Sequence, residues 1–391
     1  MDRLPVVRLK GLRRSRHPWI YRKMCVPADH APGTLVEVVD RDGGFAARGI
    51  YNRKSEIAIR VLTEDSATRL DDAFFDASLD RALAFRRQEL ELDPVTDAYR
   101  IVNSEGDGLS GLVADRLGGF VVVQLFSAGW FRKLKWLLPA VSRRFGGAEV
   151  LVRADETTRQ REGFHVRDFV AERLGEKGLR TAIVEAGLRF HVDLGRGQKT
   201  GFFCDQRDHR ARVRRLAAGK RVLDLFSYTG GFALNARRGG AVQVTAVDLD
   251  EKAVALAREN AALNRLEVAF HHADAYDFLR AAIRRGDRYD LVIADPPKFA
   301  AGKSEIASAL VRYRDLNELA ASALAAGGTL ITCSCSGAVS EERFRGAVEE
   351  GARRARAAID LIEKGGAAPD HRLRPEFPEG RYLKVLTYRK T

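Results

Sequence analysis

The carboxyl-terminal half of the chain shows the pattern that most restricts its fold. From about residue 196 onward, apolar segments typical of strands alternate with segments of helical spacing. Such alternation is typical of βαβ units, which build a parallel sheet. The clearest unit is an apolar strand from Arg221 to Leu225, a turn at Gly230-Gly231, and a helix that starts near Phe232. Residues 196–391 are therefore predicted to form a doubly wound α/β domain.

Carboxylates mark the ends of the next three predicted strands. Asp248, Asp274 and Asp295 stand at or just after these strands, and ligands of such sheets bind beyond the carboxyl ends of the strands. The turn at Gly230 lets a ligand approach the backbone, and the helix after it offers free N–H groups. An acid about twenty residues beyond the glycines suits ribose hydroxyls, so Asp248 is the predicted ribose ligand. Asp274 is the predicted partner of an adenine amino group.

The type of nucleoside cofactor follows from what the turn lacks. The G-x-G-x-x-G pattern of a dinucleotide site is missing, and Gly230-Gly231 leaves no room for a pyrophosphate. An oxidoreductase is therefore the least favoured class of enzyme. Acids at successive strand ends, closed by Asp295-Pro296-Pro297, predict S-adenosylmethionine instead.

Two cysteines follow the fifth predicted strand of this domain, residues 328–332. Cys333 and Cys335 would face the same cleft as Asp295. A thiolate that adds to carbon 6 of a pyrimidine makes carbon 5 nucleophilic enough to accept a methyl group. An acid beside the ring stabilises the charge that develops. Free cysteine is also among the most buried residue types, so on the residues alone either cysteine could be simple core packing.

The amino-terminal half divides into two smaller regions. Residues 1–71 contain short apolar runs, at 5–9, 34–39, 45–51 and 57–62, separated by turn signals, which predicts a small β-rich domain. Residues 72–195 begin with a helical pattern over 72–93 and continue with strands and a further helical pattern over 130–145, which predicts an α+β middle domain. Three domains are thus expected, at 1–71, 72–195 and 196–391, since 391 residues exceed the size of one hydrophobic core.

Composition limits location and partners. The formal net charge is +13, which favours a polyanionic partner. Apolar runs are too short for a membrane span, and the basic amino terminus lacks the apolar centre of a secretory signal. Four cysteines are too few and too irregularly spaced for a disulfide framework or a zinc site. A cytoplasmic protein without a metal or a membrane partner is expected.

Several longer runs resemble those of the bacterial ribosomal RNA large subunit methyltransferase I family. They are residues 16–21, 103–109, 197–207 and 378–384, together with Phe226-Ser227-Tyr228-Thr229-Gly230-Gly231-Phe232, Asp295-Pro296-Pro297-Lys298-Phe299, Tyr313-Arg314-Asp315-Leu316-Asn317 and Ser334-Cys335-Ser336. The resemblance covers nearly the whole chain. It implies an RNA 5-methylcytosine methyltransferase with an amino-terminal PUA β-barrel, a small α+β middle domain and a class I, Rossmann-like methyltransferase domain.

The resemblance also assigns roles to residues. Cys335 takes the nucleophile position, Asp295 takes the position of the acid beside the ring, and Cys333 stands where the family varies. The implied S-adenosylmethionine site consists of Lys199, Thr200, Arg207, Phe226, Thr229, Gly230, Asp248, Asp274 and Asp295. Basic residues interleaved with aromatic ones suit phosphate contact and base stacking. The candidate RNA-binding residues are Arg13, Arg14, Arg16, Arg22 and Lys23, with Trp19 expected to be largely buried.

Two other functions stay open on the sequence. Asp-Pro-Pro after the fourth strand also occurs in methyltransferases that modify purines or exocyclic amines, which need no thiolate. The chain could alternatively be an RNA-binding or ribosome-assembly factor without activity, although Gly230, Asp248, Asp274 and Asp295 argue against this. The sequence does not identify the modified nucleotide or the class of RNA. It also leaves open the oligomeric state, with a homodimer as one option.

Overall fold

The computed structural model describes residues 4–166, 172, 174–175, 178–195 and 201–391. Lys199 and Thr200, both predicted to bind the cofactor, lie outside these residues. The chain forms two compact units. The first comprises Met1–Val184, Val192–Cys204 and Pro369–Gly380, and the second comprises Glu185–His191, Asp205–Ala368 and Arg381–Thr391. Among the described residues, no helix combines the length and the apolar character that crossing a membrane requires.

The first unit begins with a five-stranded sheet in the order β1-β3-β4-β5-β2. Its strands are β1 (Val6–Arg8), β2 (Trp19–Tyr21), β3 (Thr34–Val39), β4 (Phe45–Tyr51) and β5 (Ile57–Thr63). The turn between β3 and β4 is held by Asp40, whose Oδ1 accepts hydrogen bonds from the N–H groups of Asp42 and Gly44, both at 2.9 Å. Alternate side chains of these strands fill one core, which contains Val7, Ile20, Val36, Val38, Ala47 and Ile59. This is the β-rich unit that the turn signals predict.

A four-stranded sheet in the order β6-β7-β8-β9 forms the rest of the first unit's framework. Its elements are α1 (Asp72–Ala84), β6 (Ala98–Asn103), β7 (Leu112–Leu117), β8 (Phe120–Leu125), α2 (Ala128–Arg132), α3 (Leu134–Arg144), β9 (Glu149–Arg153) and α4 (Glu156–Glu162). The helical pattern across 130–145 predicts one helix, but the chain forms two that meet at Lys133. A two-stranded sheet follows, made of β10 (Arg180–Glu185) and β11 (Leu188–Asp193).

Helix α1 ends in a π-helical turn, Phe85–Glu89, earlier than the predicted end at residue 93. The turn contains Arg86, which is fully buried. Its guanidinium donates two parallel hydrogen bonds to Asp107, at 2.6 and 2.8 Å, and a third to the carbonyl of Arg100 at 3.0 Å. A buried guanidinium is tolerated only when its donors are paired, so these contacts fix the path of the chain after α1.

The second unit contains a seven-stranded sheet in the order β14-β13-β12-β15-β16-β18-β17. Its strands are β12 (Arg221–Leu225), β13 (Gln243–Asp248), β14 (Ala269–His272), β15 (Tyr289–Ala294), β16 (Leu324–Ser334), β17 (Ile359–Gly365) and β18 (Lys384–Lys390). Strands β12 to β16 are parallel, and β18 runs antiparallel to both β16 and β17. Its helices are α5 (Arg207–Leu216), α6 (Gly231–Arg238), α7 (Glu251–Leu263), α8 (Ala275–Arg285), α9 (Ile306–Ala323) and α10 (Glu341–Arg354).

Strand register brings the candidate site together. Leu225 at the end of β12 lies beside Val247 on one side and Ala294 on the other, and Ala294 lies beside Thr332. The segments that leave β12, β13, β15 and β16 therefore start at one edge of the sheet. The predicted doubly wound α/β architecture is confirmed, and its strand ends carry the predicted acids and cysteines.

Candidate cofactor and catalytic site

The loop from β12 to α6 has an unusual backbone. Phe226 and Tyr228 adopt φ values of +61° and +48°, and Gly230 adopts +86°. Left-handed conformations cost a non-glycine residue about 1–3 kcal/mol and cluster at ligand sites. The loop is held in place because the Ser227 N–H donates to the Val247 carbonyl at 3.0 Å, and the Gly230 N–H donates to the Ser227 carbonyl at 2.9 Å. Its backbone is thus fixed at the strand edge before any ligand binds.

Asp248, the last residue of β13, supports this loop directly. Its Oδ2 accepts the Tyr228 N–H at 2.7 Å and its Oδ1 accepts the Asp250 N–H at 2.8 Å. The side chain is only partly buried. A carboxylate has about four lone-pair sites, so two remain for the ribose hydroxyls that the sequence assigns to it.

Asp224 is a buried acid that the sequence reasoning left out of the site. It lies within β12 and is completely buried. Its Oδ2 accepts the Ala233 N–H at 2.9 Å, but its Oδ1 has no hydrogen-bond partner among the described residues, and neither does the buried Ser227 Oγ. Burial raises the pKa of Asp224 well above its usual value, and the carboxylates of Asp295 and Asp248 raise it further. An acid inside an apolar strand next to the Gly-rich turn is the signal that could have identified it.

These features fit the predicted cofactor. S-adenosylmethionine carries hydroxyl and amino donors, and the loop region offers the unpaired oxygens of Asp224 and Ser227 beside the carboxylate of Asp248. Gly230 favours glycine because its φ of +86° is a backbone conformation that L side chains rarely adopt.

The remaining predicted cofactor residues have varied surroundings. Asp274 caps helix α8, since its Oδ1 accepts the N–H groups of Tyr276 and Asp277 at 2.8 and 3.1 Å. Thr229 is buried, and its carbonyl accepts a hydrogen bond from Asn260 at 3.2 Å. Phe226 is partly buried. Arg207 is buried at the start of α5.

Asp295 follows β15 and is oriented by a neighbour that the sequence analysis did not single out. The Gln206 Nε2 donates to the Asp295 Oδ2 at 3.0 Å, and Gln206 is only 3% exposed. The backbone N–H of Asp295 also donates to the Leu225 carbonyl at 3.4 Å. The carboxylate is therefore fixed at the sheet edge between the Gly-rich loop and β16.

The two cysteines at the end of β16 differ in access. Cys333 is completely buried, whereas Cys335 is partly exposed. Both pack against the same apolar cluster, so they lie on one face of the sheet, as their spacing predicts. Burial raises the pKa of the Cys333 thiol well above its usual value, and the Asp295 carboxylate raises it further. Cys333 is therefore a neutral thiol without solvent exposure, and it lies next to Asp295.

Residues on both sides of Cys335 are held by hydrogen bonds. The Ser334 hydroxyl donates to the Tyr313 hydroxyl at 2.8 Å, which lies 3.0 Å from the Ser336 hydroxyl. The Ser336 Oγ accepts the N–H groups of Phe299 and Ala300, both at 3.1 Å. This serine–tyrosine network joins the end of β16 to the segment that follows Asp295.

A lysine on β18 braces the same turn. The Lys384 Nζ donates to the carbonyls of Ser336 and Val339 at 2.7 and 2.9 Å, and the residue is only 5% exposed. Burial lowers the pKa of Lys384 to about 8. The backbone on either side of Cys335 is therefore constrained by Tyr313 and Lys384.

The amino-terminal basic residues fall into two groups. Arg13 has a structural role within the amino-terminal domain. Its side chain is 8% exposed and forms an ion pair with Glu64 at 2.7 Å. Its guanidinium also donates to the carbonyls of Ala46 and His17. Arg14 and Lys23 are exposed and form no ion pair with a described residue.

Arg16 and Arg22 are exposed and pair with Glu64 and Glu56 respectively. Trp19 is partly buried, and it is not among the residues of the apolar core of the amino-terminal sheet. Its ring contacts Phe377, and its Nε1 donates to Glu105 at 2.7 Å. Phe377 is far away in sequence, so the pattern around Trp19 could not show this contact.

No group of three or more His, Cys, Asp or Glu side chains in the described ranges is arranged to hold a metal ion. The site as described consists of a strained loop, carboxylates and a partly exposed thiol.

Comparison with known proteins gives the family. A family model for S-adenosylmethionine-dependent methyltransferases matches residues 105–389, and one for PUA-like domains matches residues 12–64. Ribosomal RNA large subunit methyltransferase I of Klebsiella pneumoniae (strain 342) is 37% identical over 393 residues, covering 98% of both chains. The chain belongs to the ribosomal RNA large subunit methyltransferase I family of S-adenosylmethionine-dependent methyltransferases.

The protein of the same name from Escherichia coli O139:H28 is likewise 37% identical over 98% of both chains. The crystal structure of SMU.776 complexed with SAH matches with a TM-score of 0.81 at 22% identity, covering 99% of this chain and 100% of that chain. The S-adenosylmethionine-dependent methyltransferase from Agrobacterium tumefaciens matches with a TM-score of 0.53 at 22% identity, covering 76% and 90%. S-adenosylmethionine is therefore the cofactor of this family member, and the amino-terminal sheet is a PUA-like domain.

Cofactor affinity should depend on Asp248. In Asp248→Ala, the loss of a charged hydrogen-bond acceptor is expected to weaken S-adenosylmethionine binding by about 1.5–3 kcal/mol. Calorimetric titration measures this. Asp250→Ala is the matched control, since that exposed side chain caps helix α7 two residues further on. An affinity for Asp248→Ala within twofold of the control would contradict the ribose assignment.

Proposed function

We propose that this enzyme methylates carbon 5 of a cytosine in large-subunit ribosomal RNA, with Cys335 as the nucleophile. The observation that carries the proposal is a partly exposed thiol, Cys335, at the strand edge where the cofactor acids lie, two residues after Cys333, whose buried thiol interacts with Asp295. The curated relatives that match over 98% of the chain are ribosomal RNA large subunit methyltransferases I. A cytoplasmic location follows from such a substrate.

The chemistry assigns a role to each group. The Cys335 thiolate forms a bond to carbon 6, and the electron pair of the 5,6 double bond moves toward the ring N3, where a proton donated by the Asp295 carboxyl group neutralises the developing negative charge. Bound S-adenosylmethionine would supply the electrophilic methyl group that carbon 5 takes up, and S-adenosylhomocysteine would be the leaving group. A base then takes the proton from carbon 5, the double bond re-forms, and the Cys335 thiolate leaves.

Cys335 suits this role better than Cys333 for reasons of access and charge. A nucleophile must reach the base, and Cys333 has no exposed surface. Its thiol is also kept protonated by burial and by the neighbouring Asp295 carboxylate, and only the thiolate is reactive. The braces on Ser334, Ser336 and the following turn hold Cys335 at the end of the strand.

Mapping the methylated position tests the proposal. The purified enzyme is incubated with S-adenosylmethionine and ribosomal RNA from a strain that lacks the gene, and the RNA is analysed by bisulfite sequencing and nucleoside mass spectrometry. We expect one cytosine of the large-subunit RNA to gain 5-methylcytosine. Methyl groups on a purine or an exocyclic amine would show that no thiolate is used. Cofactor binding without methylation of any RNA would favour an assembly factor.

RNA binding should depend mainly on interactions between the PUA-like domain and phosphates. Neutralising Arg14, Arg16 and Lys23 together, all exposed, is expected to reduce the slope of log affinity against log salt by about 0.7–0.9 for each phosphate that is no longer neutralised. Fluorescence anisotropy at several salt concentrations measures the slope. Neutralising the exposed Arg280, Arg284 and Arg353 provides a control of equal charge. If both triple variants keep the wild-type slope, the RNA site lies on other residues.

A further inference from the structure

Gln206 is a buried amide at the centre of the proposed reaction site. Its Nε2 donates to the Asp295 Oδ2 at 3.0 Å, and its side chain also lies beside the Cys333 thiol. Gln206 immediately precedes helix α5 and is only 3% exposed. It thus contacts the acid that the mechanism uses and the residue two positions before the nucleophile.

The orientation of the amide follows from its partner. The Nε2 donates to the Asp295 Oδ2, so it is the atom of the Gln206 amide that faces this carboxyl group. The Oε1 then points elsewhere, and it has no hydrogen-bond partner among the described residues. A buried acceptor without a donor is destabilising, and this one lies in a site built to receive a ligand. The missing donor is expected to come from that ligand.

Sheet order indicates which ligand supplies the donor. The acids assigned to the cofactor's ribose and adenine follow β13 and β14, whereas Asp295 and Cys335 follow β15 and β16 on the other side of β12. Gln206 contacts the β15 and β16 side through Asp295 and Cys333. The Gln206 amide therefore lies with the groups assigned to the base.

We propose that the Gln206 Oε1 accepts a hydrogen bond from the 4-amino group of the target cytosine while its Nε2 orients Asp295. This inference rests on the proposed function. Uracil presents an oxygen at position 4, which would face the Gln206 oxygen with no proton between them. Gln206 is thereby the residue that selects cytosine over uracil.

A mutant cycle tests this hydrogen bond. Wild type and Gln206→Met are compared on RNA with cytosine at the target position and on the same RNA with 2-pyrimidinone, which lacks the 4-amino group. The substitution is expected to lower kcat/KM for cytosine roughly ten- to hundredfold, because it leaves the 4-amino group without its acceptor. On the 2-pyrimidinone RNA the decrease should be smaller by about tenfold, because only the contact that orients Asp295 is lost there. Equal decreases on both RNAs would overturn the inference.

Three controls separate the outcomes. Gln243→Met, an exposed glutamine at the opposite end of the sheet, should leave both RNAs unaffected. Affinity of Gln206→Met for S-adenosylmethionine should stay within about twofold of wild type, and a tenfold loss with an unchanged cytosine preference would assign the donor to the cofactor and refute the inference. If wild-type enzyme makes no 5-methylcytosine, the proposed function itself fails, whereas an additive cycle with an active wild type rejects only the role of Gln206.

The pH profile of Gln206→Glu provides a readout that a merely structural role would not change. Two adjacent carboxyl groups share one proton. At lower pH the new carboxyl group would be protonated, so it could again donate to Asp295 and accept from the base. The activity of Gln206→Glu relative to wild type is therefore expected to rise as the pH falls from about 8 to about 6. A flat ratio would contradict the orienting role.

Discussion

Replacing Cys335 by alanine is expected to abolish methyl transfer while cofactor binding persists. Removing the nucleophile should lower kcat by roughly 10⁴-fold or more, as removal of a covalent nucleophile does in well-studied enzymes. The groups assigned to the cofactor lie on other strands, at Asp248 and the Gly-rich loop. Calorimetry should therefore give an S-adenosylmethionine affinity close to wild type, and transfer of a labelled methyl group to RNA measures the loss of activity.

Cys333→Ala is the matched control, since Cys333 lies in β16 two residues before Cys335 and packs against the same apolar cluster. It should retain most activity. RNA with 5-fluorocytosine at the target should trap a covalent adduct, because fluorine at carbon 5 blocks the elimination that frees the thiolate. An adduct that forms in Cys335→Ala and not in Cys333→Ala would reverse the assignment. Full activity of both variants would mean that no thiolate takes part.

Asp295→Asn is expected to reduce kcat by about 10²- to 10³-fold, the usual cost of removing one group that stabilises developing charge. Asparagine keeps the shape of the side chain, and the Gln206 amide can still donate to its carbonyl oxygen. The variant should therefore fold normally, and the loss should appear in kcat more than in KM.

Asp360→Asn on strand β17 is the control for Asp295→Asn, because Asp360 is exposed and lies at the edge of the sheet. Its activity should match wild type. An active Asp295→Asn enzyme would remove this carboxylate from the chemistry and leave Gln206 without a catalytic group to orient.

The fold was largely predictable because its signals are local. Strand and turn patterns predicted strands 34–39 and 45–51, and both form as Thr34–Val39 and Phe45–Tyr51. The positions of Asp248, Asp274 and Asp295 after successive parallel strands predicted that they lie close together, because the carboxyl ends of such strands share one edge of the sheet. Helix ends were less predictable. The π-helical turn at Phe85–Glu89 depends on the pairing of Arg86 with Asp107, twenty-one residues away.

Residues that act through distant partners escaped the sequence analysis. Gln206 becomes a candidate site residue only because it donates a hydrogen bond to Asp295. Asp224 becomes one because burial raises its pKa and because it lies beside the Gly-rich loop. Arg13 reads as an RNA ligand from its basic neighbours, but Glu64 and two carbonyls engage it within the barrel. Solvent exposure and ion pairing are properties of the folded chain. Sequence patterns could therefore predict that basic residues bind RNA but not which of them are free to do so.

The bracing of the Cys335 turn by Lys384 has a consequence for biosynthesis. Lys384 lies in β18, which inserts between β16 and β17 although it follows both in the chain. A ribosome delivers residues in order, so every segment of the sheet through β17 leaves the exit tunnel before the strand that holds the Cys335 turn. Until β18 is incorporated, this turn lacks its two hydrogen bonds from Lys384. If Cys335 is the nucleophile, methyl transfer is therefore expected to measure incorporation of this strand as well as chemistry.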